Sequence, residues 1–114
     1  MQIVRKNEAN IHKNNEVNIA TEYKMTEPDI NGAVVEMSGR YPAKGLVMNE
    51  VCKELVYILE GSGKVVLDGE REIELNVGDL ILLNPGEKYY WEGQMKTFIS
   101  CTPAWYPEQH KEIK

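Results

Sequence analysis

The spacing of the apolar runs constrains this chain more than any other feature, because no gap between them is long enough to hold a helix. Runs of strand character fall at Val17–Lys24, Ala33–Met37, Leu46–Met48, Leu55–Leu59, Lys64–Leu67, Glu72–Leu75, Leu80–Leu83, Tyr89–Glu92 and Lys96–Thr102. Turn-forming residues stand between them: Pro28-Asp29, Ser38-Gly39, Gly61-Ser62-Gly63, Asp68-Gly69, Asn76-Val77-Gly78-Asp79, Asn84-Pro85-Gly86 and Glu92-Gly93. Parallel neighbours need a crossover of about a dozen residues or more, which these gaps lack, so the strands pair mostly antiparallel. Many short strands without a 3.6-residue period predict an all-β sandwich or small barrel.

Asp68-Gly69 gives the sharpest local prediction. It lies between Lys64–Leu67 and the run from Glu70 to Leu75. Such a pair supplies the positive backbone dihedrals of a two-residue type I′ hairpin. Ile73 and Leu75 then alternate with Glu72 and Glu74, the pattern of a strand with one wet face. Beyond Thr102, Pro103 and Pro107 predict a clamped tail rather than a strand.

The 114 residues suit a single domain over 1–114, with its core at about 34–103. A chain of this size buries only about 60–68% of its unfolded surface, so a second copy usefully completes the core. A homodimer is expected, with Glu16–Tyr23 pairing to a neighbouring edge and Tyr, Trp and Met side chains supplying interface. Thirteen basic residues against eighteen acidic ones leave a net charge of −5, and the basic residues are scattered. No nucleic-acid partner is expected from that balance. No apolar run nears the length of a spanning helix, so no membrane partner is expected. The first residues hold no continuous apolar stretch, which predicts no export signal and a cytoplasmic chain with Cys52 and Cys101 as free thiols.

Glu54-Leu55-Val56-Tyr57-Ile58-Leu59-Glu60-Gly61 resembles the end of the first motif of the cupin superfamily, a glutamate followed after six residues by a glycine. Gly78-Asp79-Leu80-Ile81-Leu82-Leu83-Asn84-Pro85-Gly86 resembles the start of the second motif, and the hairpin between them has the family's length. The resemblance spans roughly Val34 to Pro103. It implies a cupin double-stranded β-helix, or jelly-roll barrel, with a pocket inside one end, and often a homodimer. Metal-binding cupins carry a His-x-His pair ahead of the glutamate and a third histidine in the second motif. With three residues before Glu54 the pair falls on Met48 and Glu50; with four it falls on Val47 and Asn49. The third falls on Tyr89. None of these is histidine, and His12 and His110 lie far from both motifs. The resemblance therefore implies a divergent subgroup without the metal-binding histidines, and no metal or other cofactor is expected.

The period of two places Glu54, Val56 and Ile58 on one face of their strand. By the family pattern that face is the barrel interior, where a carboxylate must be paired, liganded or protonated. Glu54 is thus a candidate general acid, general base or ligand anchor; an exposed glutamate at a strand start fits the same pattern. Tyr89 is a candidate hydrogen-bond donor or acid, or a plug for the space a histidine leaves. Glu50 joins them in the first of the two registers, where two carboxylates would push one pKa upward. Asn49 can orient a ligand or cap a turn, and Met48 reads as core filling. Trp91 shares the parity of Tyr89, and the two rings suit a sugar-like ligand or an interface. Neither cysteine has a histidine beside it in sequence.

These residues predict a small-molecule-binding cupin with a metal-poor pocket lined by Glu54 and Tyr89, its ligand a small polar or sugar-like molecule. An acid/base isomerase, epimerase or lyase follows if Glu54 and Tyr89 exchange protons with that molecule. A metalloenzyme with Glu and Tyr ligands and a purely structural module complete the alternatives.

Overall fold

The computed structural model describes residues 1–113. Among them the strands are β1 (Asn10–Asn15), β2 (Asn18–Tyr23), β3 (Asn31–Tyr41), β4 (Leu46–Asn49), β5 (Lys53–Leu67), β6 (Arg71–Asn76), β7 (Leu80–Leu83), β8 (Tyr89–Thr102) and β9 (His110–Ile113). Every pairing is antiparallel. One path runs β1-β2-β3-β8-β4-β9, and β5 joins β8 to β6 and β7. The result is a curled all-β sheet of the cupin jelly-roll type. No helix among the described residues is long and apolar enough to cross a membrane.

The two long strands, β5 and β8, pair along almost their whole length, from Lys53↔Thr102 to Leu67↔Tyr89. Here the structure corrects the sequence reading, in which Gly61-Ser62-Gly63 and Glu92-Gly93 end strands. Gly93 instead lies between Gly39 of β3 and Gly63 of β5, in register with both. A Cβ on Gly93 would sit 2.5 Å from the Gly63 Cα, and its φ is +143°. Three glycines abreast let three backbones approach and crease without breaking the ladder. A bulge between Ile58 and Glu60 adds to the curl.

The turn at Asp68-Gly69 has the expected positive φ values, 54° and 74°. Its register differs by one residue from a two-residue loop: Leu67 partners Arg71, so Glu70 belongs to the loop. Glu72 and Glu74 are exposed and Leu75 is buried, as the alternation requires. The tail is a second correction. It does not end as irregular chain but forms a short 3-10 turn at Pro107–Gln109 and then β9, which pairs with β4. The segment expected to pair with a neighbouring copy is β2, which lies between β1 and β3 of its own chain. Val56, Ile58, Val65, Leu75, Leu83 and Met95 fill the barrel core, with Tyr89 and Trp91 at one end of it.

Candidate functional site

Parity decides which side chains meet inside. Glu54 and Val56 of β5 face inward, as do Tyr89 and Trp91 of β8, and Tyr41 and Met37 of β3. On β4 the inward residues are Val47 and Asn49, almost fully buried, whereas Glu50 is exposed. The second of the two registers weighed above is therefore the one the barrel adopts. Glu50 does not join Glu54; it lies outside, 3.8 Å from Lys111 Nζ.

Glu54, Tyr89, Trp91, Tyr41 and Met37 line a cavity of about 90 Å³ that opens to solvent at its mouth. His110 and Cys101 line it too, as do Asn18, Glu22, Asn31 and Trp105. The Tyr89 and Trp91 rings meet edge to face with centroids 5.9 Å apart. Tyr41 and His110 come from opposite parts of the chain: β3 carries one and the start of β9 the other.

The hydrogen bonds behind this wall run in one direction. Gln109 Oε1 accepts from the backbone N–H groups of Val51 (3.2 Å) and Cys52 (3.1 Å), which fixes its amide orientation. Gln109 Nε2 must then donate to Asn49 Oδ1, at 2.9 Å. Asn49 Oδ1 also lies 2.8 Å from His110 Nδ1, so that nitrogen carries the hydrogen. Burial lowers the His110 pKa and favours the neutral ring. Its Nε2 is then an acceptor, and Tyr41 Oη donates to it at 2.9 Å. The other end of Asn49 is unsatisfied: Nδ2 is buried with no partner in hydrogen-bonding geometry. It faces Glu54 and Tyr89 and favours their charged forms without closing a bond of good geometry to either.

Burial dominates the titration of the site. Desolvation pushes the Glu54 carboxyl up to about 7, against the smaller opposing effect of Asn49. Burial and then the Glu112 and Glu54 carboxylates raise the Tyr41 phenol to about 12. Tyr89 is pushed well up by burial, with Glu54 adding to it. Burial, followed by Glu54, also raises the Cys101 thiol, which leaves it a weak nucleophile at neutral pH. Glu54 is thus the one of these groups able to hold or release a proton near neutrality.

Replacing Gln109 by glutamate is expected to reverse the chain of donors. One Glu oxygen still accepts from Val51 and Cys52, but the other can no longer donate to Asn49. The Asn49 amide then flips, and His110 changes tautomer to pair with it. Nitrogen chemical shifts of the His110 ring report the outcome: the hydrogen should move from Nδ1 to Nε2 in Gln109→Glu. An unchanged tautomer would show that Gln109 does not set the direction.

The cupin metal centre needs imidazoles converging on an ion. The corresponding positions here hold Val47, Asn49 and Tyr89, and both nitrogens of His110 are engaged, by Asn49 and Tyr41. Among the described residues no three His, Cys, Asp or Glu side chains form a ligand set. This donor set does not fit such a centre.

A small curled antiparallel sheet with a cavity among its inward side chains has the architecture of a cupin. The chain belongs to the EutQ-like cupin domain family, whose model matches residues 39–98. Among solved structures it is similar to the nucleoside dehydratase Pac13, with TM-score 0.88, 17% identity, and coverage of 100% of this chain and 92% of that one. Variants of the Streptomyces protein with uridine superpose comparably, at TM-score 0.86 and 17% identity. The polyketide cyclase RemF from Streptomyces resistomycificus gives TM-score 0.77 at 16% identity, covering 100% and 86% of the two chains. The Clostridium difficile EutQ protein gives 0.64 at 17% identity, over 76% of this chain and 63% of that one. No curated protein matches this sequence. At such identities these likenesses establish the fold.

The motif resemblance, with strand parity at Glu54, singled out Glu54 and Tyr89, and both line the cavity. It missed Tyr41, Gln109 and His110. Tyr41 was findable, since it shares the strand parity of Met37 in β3. His110 and Gln109 carried no local signal, because β9 reaches the cavity only through its pairing with β4.

Proposed function

We propose that this protein binds a small polar, sugar- or nucleoside-like molecule in the cavity and that Glu54 moves a proton on it, as in a lyase or isomerase. The observation that carries the reading is a buried carboxyl lining a cavity, with its pKa raised to about 7. A group so poised serves as acid or base at neutral pH. Tyr89 stands beside it as a hydrogen-bond donor, and the Tyr41 oxygen, its hydrogen engaged by His110, offers an acceptor. The Trp91 and Tyr89 rings supply an apolar wall suited to the face of a base or sugar. Two structural neighbours, a nucleoside dehydratase also studied with uridine and a polyketide cyclase, support the choice of ligand class.

Uridine titrated into the protein by calorimetry is the first test. Binding should weaken about fivefold to thirtyfold in Tyr89→Phe, the loss of one hydrogen bond. If chemistry follows binding, the same variant should lose about tenfold to a thousandfold in rate. Binding with no turnover of any nucleoside or sugar tested would favour a sensor or carrier built on the same pocket. Binding that neither Tyr89→Phe nor Glu54→Gln alters would place the ligand elsewhere and end the proposal.

A further inference from the structure

The cavity beside Glu54 is small, about 90 Å³. An apolar cavity of about 150 Å³ holds a benzene-sized guest, and pockets for small molecules run to about 300–1,000 Å³. Only part of a sugar ring can enter it. A second space adjoins it, a groove of about 600 Å³ between β1, the connection from β2 to β3 and the tail before β9. Glu22, Asn31 and Trp105 line both spaces and so form the neck between them. The register explains the continuity. Asn10 pairs with Glu22 and His12 with Ala20, which puts Asn10 and His12 of the groove on the same face of the sheet as Glu22 and Ala20 of the cavity.

The polar groups of the neck have a direction. The Trp105 backbone N–H donates to Asn31 Oδ1 at 3.2 Å, which fixes that amide. Asn31 is only 8% exposed, and its Nδ2, engaged by no other described residue, is left as a donor at the neck. Glu22 forms no ion pair among the described residues, so its carboxylate is an open acceptor. Further out, Met25, Pro28, Tyr106 and Pro107 give the groove apolar walls. Two carboxylates, Glu22 and Glu27, stand there against one ammonium, Lys24, which disfavours a phosphorylated guest.

We propose that the groove is a recognition subsite for a planar, uncharged ring carried on the sugar, and that Glu22 and Asn31 read hydroxyl groups at the joint. The inference rests on the cavity being a ligand site, as proposed above. The ligand is then a glycoside of an aromatic or heteroaromatic ring rather than a free sugar. Its sugar edge enters the cavity toward Glu54, and its ring lies against Trp105 among the apolar side chains of the groove. A carboxylate acceptor and an amide donor at one neck suit neighbouring hydroxyls, each of which gives and takes a hydrogen bond.

Calorimetry with uridine and with ribose separates the two spaces. The parent should bind uridine at least about a hundredfold tighter than ribose, because ribose leaves the groove empty. Trp105→Ala should weaken uridine about tenfold, the loss of a stacked ring. Asn31→Asp keeps the acceptor for the Trp105 N–H and turns only the free donor into an acceptor; it should also weaken uridine about tenfold. Circular dichroism of each variant checks that the fold is kept. Ribose binding as tightly as uridine overturns the proposal, and so does uridine binding that Trp105→Ala or Asn31→Asp leaves unchanged. In either case, binding that still responds to Tyr89→Phe leaves the reading of the cavity standing. The opposite pattern, a response to Trp105→Ala and Asn31→Asp but none to Glu54→Gln or Tyr89→Phe, supports the groove and ends the proton-transfer reading. Uridine that does not bind the parent overturns both.

Discussion

Glu54→Gln is expected to make the protein more stable above pH 7 by about 3 kcal/mol, while removing its proton chemistry. The folded state holds the Glu54 pKa near 7, against an ordinary value of 4.5. Below pH 4.5 the group is protonated in both states and imposes no cost. Between pH 4.5 and 7 the unfolded chain ionises while the folded one stays protonated, so stability falls as pH rises. Above pH 7 the full penalty of a buried carboxylate is present, about 3 kcal/mol for this shift. Glutamine keeps the shape and carries no charge, so its melting temperature should exceed that of the parent by roughly 10 °C at pH 8 and match it near pH 4. Melting curves at the two pH values check this. Equal stabilities at pH 8 would mean that the carboxylate is satisfied in the fold, and the case for Glu54 as the proton-transfer group would fall with it.

Gly93→Ala is expected to cost at least about 3 kcal/mol, enough to leave much of a marginal domain unfolded. The new Cβ would lie 2.5 Å from the Gly63 Cα and 2.6 Å from the Ser62 carbonyl oxygen. Both are backbone atoms in a paired strand and cannot swing aside. The positive φ adds its own penalty. Gly69→Ala is the control, since it also has positive φ, +74°, but meets nothing within 4 Å. It should cost only about 1–2 kcal/mol, the conformational price alone. Denaturant titrations of both variants separate the two effects. Equal losses would show that the crease is not sterically closed.

The barrel was legible because its signals are local: alternation, Asp-Gly and short gaps. Glu54 and Tyr89 were singled out together by the two motifs, with strand parity setting the face of Glu54. The glycines at Gly63 and Gly93 were misread as stops because a glycine that ends a strand and one that meets a neighbouring backbone look alike until the partner is known. Glu50 was weighed as a site residue because one residue of register could not be fixed from sequence. Val47 and Asn49 facing inward on β4 decide it, and the same period of two then turns Glu50 outward. His110 illustrates the larger limit. Its place depends on a pairing between segments about sixty residues apart, and no pattern within either segment records that.

The hydrogen bonds behind the cavity have a consequence for handedness in recognition. Val51, Cys52, Gln109 Nε2, His110 Nδ1 and Tyr41 Oη each have an assigned acceptor, and the sequence of bonds cannot be read backwards without turning an amide over. The cavity wall is therefore asymmetric: the Tyr41 oxygen, its hydrogen engaged by His110, can accept a hydrogen, and the Tyr89 hydroxyl can give one. A molecule with an acceptor and a donor on one edge fits in a single sense. Its mirror arrangement would set acceptor against acceptor and leave two buried polar atoms stranded. A cavity that takes the proposed ligand would thus discriminate between two ends of a molecule that have nearly the same shape, by the direction in which its hydrogens point.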